Sequence, residues 1–67
     1  MTSLAQQIRH RRKSLLLTQE DVAELSGCST RFVRYLEAGK PTVRLDKLLA
    51  VLDTLGLELS ARPRRSP

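Results

Sequence analysis

Four side chains with hydrogen-bonding or charged heads fall on one side of a short helical stretch, residues 29–38. Counted from Ser29 at about 100° per residue, Thr30, Arg31, Arg34 and Tyr35 stand at about 100°, 200°, 140° and 240°. Phe32, Val33 and Leu36 gather on the other side, near about 300°, 40° and 340°. One face is therefore apolar. The other carries two guanidinium groups, a hydroxyl and a phenol. Such a face suits a polyanion whose edges accept hydrogen bonds, because the arginine fork bonds guanine O6 and N7 together. Thr30 suits either a base edge or a thymine methyl. Gln19, at the start of the preceding helical stretch, adds an amide beside free backbone N–H groups, a pairing that suits a phosphate.

Residues for other chemistry are missing. No Ser–His–Asp arrangement, carboxylate pair in a pocket, glycine-rich phosphate loop or ligand cluster is apparent, so an enzyme is not expected. Cys28 and His10 are the only cysteine and histidine. They cannot complete a four-ligand zinc site, so neither metal nor cofactor is expected. His10 lies on a polar face with no catalytic neighbour. Cys28 reads as a small apolar packing residue.

The face must be positioned by the elements around it. Four helical segments and one short strand are expected. The first begins after Thr2 or Ser3, either an acceptable N-cap. It puts Leu4, Ile8 and Leu15 near one face, with Ala5 beside them. The second is residues 18–25. Thr18 caps it, Asp21 closes a capping-box-like pair, Val22 and Leu25 face inward, and Gly27 ends it. Ser29 caps the third and Gly39 stops it, with Pro41 just beyond. The fourth runs from Leu45 to Leu55, where Leu45, Leu48, Leu49, Leu52 and Leu55 form a stripe read as core. After Gly56 the period changes to two. Leu57, Leu59 and Ala61 alternate with Glu58, Ser60 and Arg62. The chain offers this strand no partner, so it either frays or pairs with another chain.

Charge and size bear on partners. The chain has 67 residues, 40% hydrophobic, and a net charge of +5. Its first seventeen residues hold four bases and no acid, and residues 57–67 hold three bases and one acid. That excess points to nucleic acid before an anionic membrane. Arg9, Arg11 and Lys13 could serve phosphates or solvent equally. No apolar run is long enough to span a bilayer. No basic region followed by an apolar stretch opens the sequence, so a secretory signal is not expected. A single thiol fits a reducing cytoplasm. A domain this small gains only about 3–5 kcal/mol from its core. With neither disulfide nor metal available, the missing support is a second copy or another protein.

Two short helices, a turn holding Gly27 and a basic polar face on the second describe a helix-turn-helix. TQEDVAELSGCSTRFVRYLEAGK, residues 18–40, resembles the helix-turn-helix of the Xre/Cro–repressor superfamily. The glutamine after the first cap, Ala23, Gly27 and the Glu37 before Gly39 carry the likeness. Residues 31–59, with GKPTVRLDK, a leucine helix and a terminal strand, are similar to the HipB-type antitoxins. The resemblance covers roughly residues 4–61. It implies an all-α, four-helix, lambda-repressor-like domain over 1–56, a dimerising β-strand over 57–62 and a flexible basic tail over 63–67. It further implies a sequence-specific repressor acting as a homodimer on an inverted-repeat operator, with a HipA-like kinase toxin as partner. A stand-alone or phage-type repressor is the alternative.

By position, the resemblance places Thr18, Gln19, Ser29, Thr30, Arg31, Arg34, Tyr35 and Lys40 at DNA. Tyr35 could instead pack beside the core. Arg12 would pair with Glu37, and the wheel also sets Arg12 at the edge of an apolar stripe, where it wants an acid. Breaking such a pair costs up to about 3–5 kcal/mol. Leu57, Leu59 and Ala61 would form the dimer seam. Two positions depart from the family pattern. Leu16 stands where glycine is common, so either it is strained at positive φ or the loop differs. Arg34 replaces a small hydroxyl residue, which suggests a different base or phosphate preference.

Overall fold

The computed structural model describes residues 3–61 and Pro63. Thr2, Arg62 and most of the expected tail lie outside the described residues. The described residues form four helices: α1 (Leu4–Ser14), α2 (Gln19–Ser26), α3 (Thr30–Glu37) and α4 (Leu45–Thr54). Each of the first three begins on a side chain that accepts from the helix. Ser3 Oγ accepts from the Gln6 backbone N–H at 3.1 Å, and Gln6 Oε1 accepts from the Ser3 N–H at 3.0 Å. Thr18 and Asp21 repeat this capping box at 3.0 and 2.9 Å. Ser29 Oγ accepts from the Phe32 N–H at 3.0 Å. Arg44 precedes α4 with no side-chain cap.

Three of the helix ends share one device. After α1, the Leu16 N–H donates to Lys13 O at 3.0 Å and the Leu17 N–H to Arg12 O at 3.1 Å. After α2, Gly27 donates to Glu24 O at 3.3 Å and Cys28 to Ala23 O at 2.9 Å. After α4, Gly56 donates to Asp53 O at 3.1 Å and Leu57 to Leu52 O at 2.8 Å. Each is a Schellman motif, which needs one residue in the left-handed region. Gly27 takes φ 72° without a Cβ penalty. Leu16 takes φ 59°, so the strained alternative for this position is the one the chain adopts.

α2 packs against α3 and α4, and α1 against α3. The core consists of Ile8, Val22, Ala23, Val33, Leu36, Leu48, Val51, Leu52 and Leu55. Cys28 and Phe32 pack half-buried against it. Burying each large aliphatic side chain contributes about 1.5–3 kcal/mol before the entropy of ordering the chain is set against it.

Several sequence expectations are corrected. The leucine stripe is not all core: Leu45 is 58% and Leu49 45% exposed, whereas Val51 is fully buried. The residues at positions 48, 51, 52 and 55 make the inner face of α4, and Leu49 stands about 100° from Leu48. On α2, Ala23 rather than Leu25 turns inward, because α3 and α4 approach from that side; Leu25 is 66% exposed. On α1, Ile8 is buried, while Leu4 and Leu15 are about two-fifths exposed (40% and 39%). Arg12 rather than a second leucine continues its inner face. The strand expected over 57–62 needs a second chain to pair with, and residues 57–61 carry no strand within this one. Its backbone has no second strand in the chain to meet. Leu57 instead closes the end of α4 and packs against the core, while Leu59 is 49% exposed.

Candidate nucleic-acid interface

α3 is fixed from behind by Val33 and Leu36, both buried. Its outward side carries Arg31, Arg34 and Tyr35, all exposed, with Thr30 half-buried in the first turn. Two shallow clefts flank it. The one toward α2 is lined by Arg9, Arg12, Thr18, Gln19, Arg34 and Glu37. The one toward α4 is lined by Ser29, Arg31, Phe32, Tyr35, Arg44 and Lys47, among others. A convex basic helix between two clefts has the shape to enter a groove while its flanks meet the groove walls.

The hydroxyls of Thr18 and Ser29 accept from the N–H groups of their own helices. Each keeps an O–H to donate outward. Lys40, just past α3, is exposed.

Behind the face lies an ion pair. Arg12 Nε donates to Glu37 Oε2 at 2.7 Å and Nη2 to Oε1 at 3.0 Å. Nη1 donates to the Leu17 carbonyl at 2.9 Å. The two side chains are 11% and 5% exposed, so this is a bidentate pair largely out of water. Burial pushes the Glu37 carboxyl up. The hydrogen bonds from Arg12 and Gln19, together with the charge of Arg12, outweigh that and hold it below the ordinary carboxylate range. The Arg12 guanidinium is pushed up, chiefly by its hydrogen bond to Glu37 and against its own burial. One pair thus joins α1, the loop after it and the end of α3.

The structure also links residues that sequence reasoning kept apart. Gln19 Nε2 donates to Glu37 Oε1 at 3.2 Å. Its amide therefore extends the ion pair to the first turn of α2, and its second N–H remains for an outside acceptor. Arg34 Nε donates to Gln19 Oε1 at 3.4 Å. Arg44 and Lys47 were missed as neighbours of Arg31. Their signal was two cations around the start of a leucine-rich helix. Arg44 is bidentate to Asp46, at 3.2 and 2.8 Å, and its guanidinium holds that carboxyl low. Lys47 Nζ sits 5.8 Å over the Phe32 ring, within cation–π range. Among the described residues, no group of three potential metal ligands gathers, and no helix is long and apolar enough to cross a membrane.

Residues 3–64 match the family model described as a helix-turn-helix domain. Over 52 residues the chain is 44% identical to an uncharacterized HTH-type transcriptional regulator of Sinorhizobium fredii, strain NBRC 101917 / NGR234. The match covers 78% of this chain and 68% of that relative.

Proposed function

The chain belongs to the helix-turn-helix domain family, and from that premise we propose that it is a DNA-binding transcriptional repressor. The observation that carries this reading is the outward face of α3, with Arg31 and Arg34 exposed between two clefts that hold further cations. Ser29, Thr30 and Arg31, near the start of α3, meet base edges in the major groove. Thr18, Gln19 and Lys40 meet the backbone. Tyr35 flanks the base-reading side. The relative named as a transcriptional regulator supports the same function.

The protein acts as a homodimer in the cytoplasm. Residues 57–62 of each subunit pair across a two-fold axis, with Leu57, Leu59 and Ala61 at the seam. A two-fold protein reads an inverted repeat. The similarity of residues 31–59 to HipB-type antitoxins supports a HipA-like kinase toxin as the partner, which the protein neutralises while repressing their shared operon. A kinase-like reading frame adjoining the gene is expected. Its absence would leave the stand-alone repressor.

Selection of bound duplexes from a random DNA pool tests the reading. An enriched inverted repeat is expected. Retention of DNA without any enriched sequence would overturn it.

A further inference from the structure

Arg34 is approached by two residues of α2. Its Nε donates to Gln19 Oε1 at 3.4 Å, and its Nη2 lies 3.7 Å from Glu20 Oε2. Both partners stand in the first turn of α2, beside the Thr18 cap. Gln19 is itself anchored through Nε2 on Glu37, whose carboxylate Arg12 holds. Arg34 therefore lines the cleft with Arg9, Thr18 and Gln19, whereas Arg31 lines the opposite cleft with Tyr35, Arg44 and Lys47. The two arginines of one helix are turned to different sides.

An arginine serves DNA in two ways. It reads a guanine edge with its fork, or it meets a phosphate and carries no sequence information. The α2 side offers a helix N-terminus, an amide and Arg9, which suits a phosphate. The geometry points to a division of labour in which Arg34 contacts phosphate and Glu20 limits that contact, leaving base reading to Ser29, Thr30 and Arg31. Glu20 competes with an incoming phosphate for the same guanidinium. Glu20 and Arg34 side chains are 66% and 64% exposed, so water screens their pairing and DNA can replace it. This inference rests on the assignment of α3 to DNA.

The test is a double-mutant cycle in affinity. Wild type, Glu20→Gln, Arg34→Ala and the double variant are titrated on the selected duplex and on an unrelated one, at several salt concentrations. Thermal melts check that each variant folds. Arg34→Ala is expected to weaken both duplexes by the same factor and to reduce the salt slope by about 0.9 per subunit. Glu20→Gln is expected to tighten both, and that gain should shrink in the Arg34→Ala background. A loss of discrimination between the duplexes on Arg34→Ala would show base reading and overturn the inference. An equal gain from Glu20→Gln with and without Arg34 would overturn it too. If wild type binds neither duplex, the assignment of α3 fails and takes this inference with it. If wild type discriminates and only the cycle fails, the assignment stands.

Discussion

Glu37 is the residue that ties the candidate interface together. It accepts both arms of Arg12 and the amide of Gln19, so one carboxylate fixes the end of α3 against α1 and α2. Removing its charge leaves the Arg12 guanidinium, 11% exposed, without its counterion. Glu37→Gln keeps a hydrogen-bond acceptor but not the charge, and we expect a loss of about 2–3 kcal/mol. For a domain of this size that lowers the melting temperature by roughly 10–20 °C; an unchanged melt would contradict the role. The pH dependence has a definite sign. A carboxyl held low in the folded state stabilises above its unfolded pKa, about 4.3, and that stability is lost as pH falls through the lower folded value. Wild type should lose stability as the solution is acidified through and below pH ~4. Glu37→Gln should lack this part of the acid sensitivity. Asp21, held low by its hydrogen bonds with Thr18, and Asp46 remain in both proteins, so the difference between the two profiles is what reports on Glu37.

At the scale of elements, the three Schellman turns set where α1, α2 and α4 stop. Two of them support opposite predictions. Gly27 sits at φ 72° with nothing within 4 Å of a would-be Cβ. Gly27→Ala therefore meets backbone strain alone and should cost about 1 kcal/mol. Leu16 adopts φ 59° with its side chain 90% exposed, so it bears the strain without burying much apolar surface. Leu16→Gly should stabilise by about 0.5–1 kcal/mol, the relief of strain being partly offset by the freer unfolded chain. Denaturant titration of both variants reads these values, and a destabilised Leu16→Gly would show that the leucine contributes something the turn does not.

The helices were legible because their caps, glycines and apolar spacing agree. Thr18, Ser29, Gly27 and Gly39 mark boundaries within a residue or two of the observed ones. The outward side of α3 was legible for the same reason, since a helix with one strongly apolar face leaves no choice for the other. The inner faces of α2 and α4 were less so. A wheel ranks residues by type, and it took Leu25 and Leu49 for core where Ala23 and Val51 turn inward. Helices that approach closely favour the smaller side chain. The link from Glu20 to Arg34 depends on how α2 and α3 cross, which no single helix contains.

For the whole molecule, the open question is what completes a small core. Nine apolar residues are buried among those described, while Leu25, Leu45, Leu49 and Leu59 remain 45–66% exposed. A chain of 67 residues with this much uncovered apolar surface gains from association. On the proposed dimer, Leu59→Asp places a charge in the seam and should yield monomer by sedimentation. An unaltered dimer would show that the seam lies elsewhere. In the proposed dimer each subunit would present one α3 to one half-site, and the two-fold axis would then set the symmetry of the DNA.

On the proposed function, the outward face of α3 binds DNA. That assignment is tested most directly by titrating the Arg31→Ala/Arg34→Ala double variant, shown by its melt to be folded, on the duplex that wild type selects. Both side chains are exposed and outside the core, so folding should survive. Binding of the selected duplex should be abolished. Wild-type affinity in the double variant would contradict the assignment.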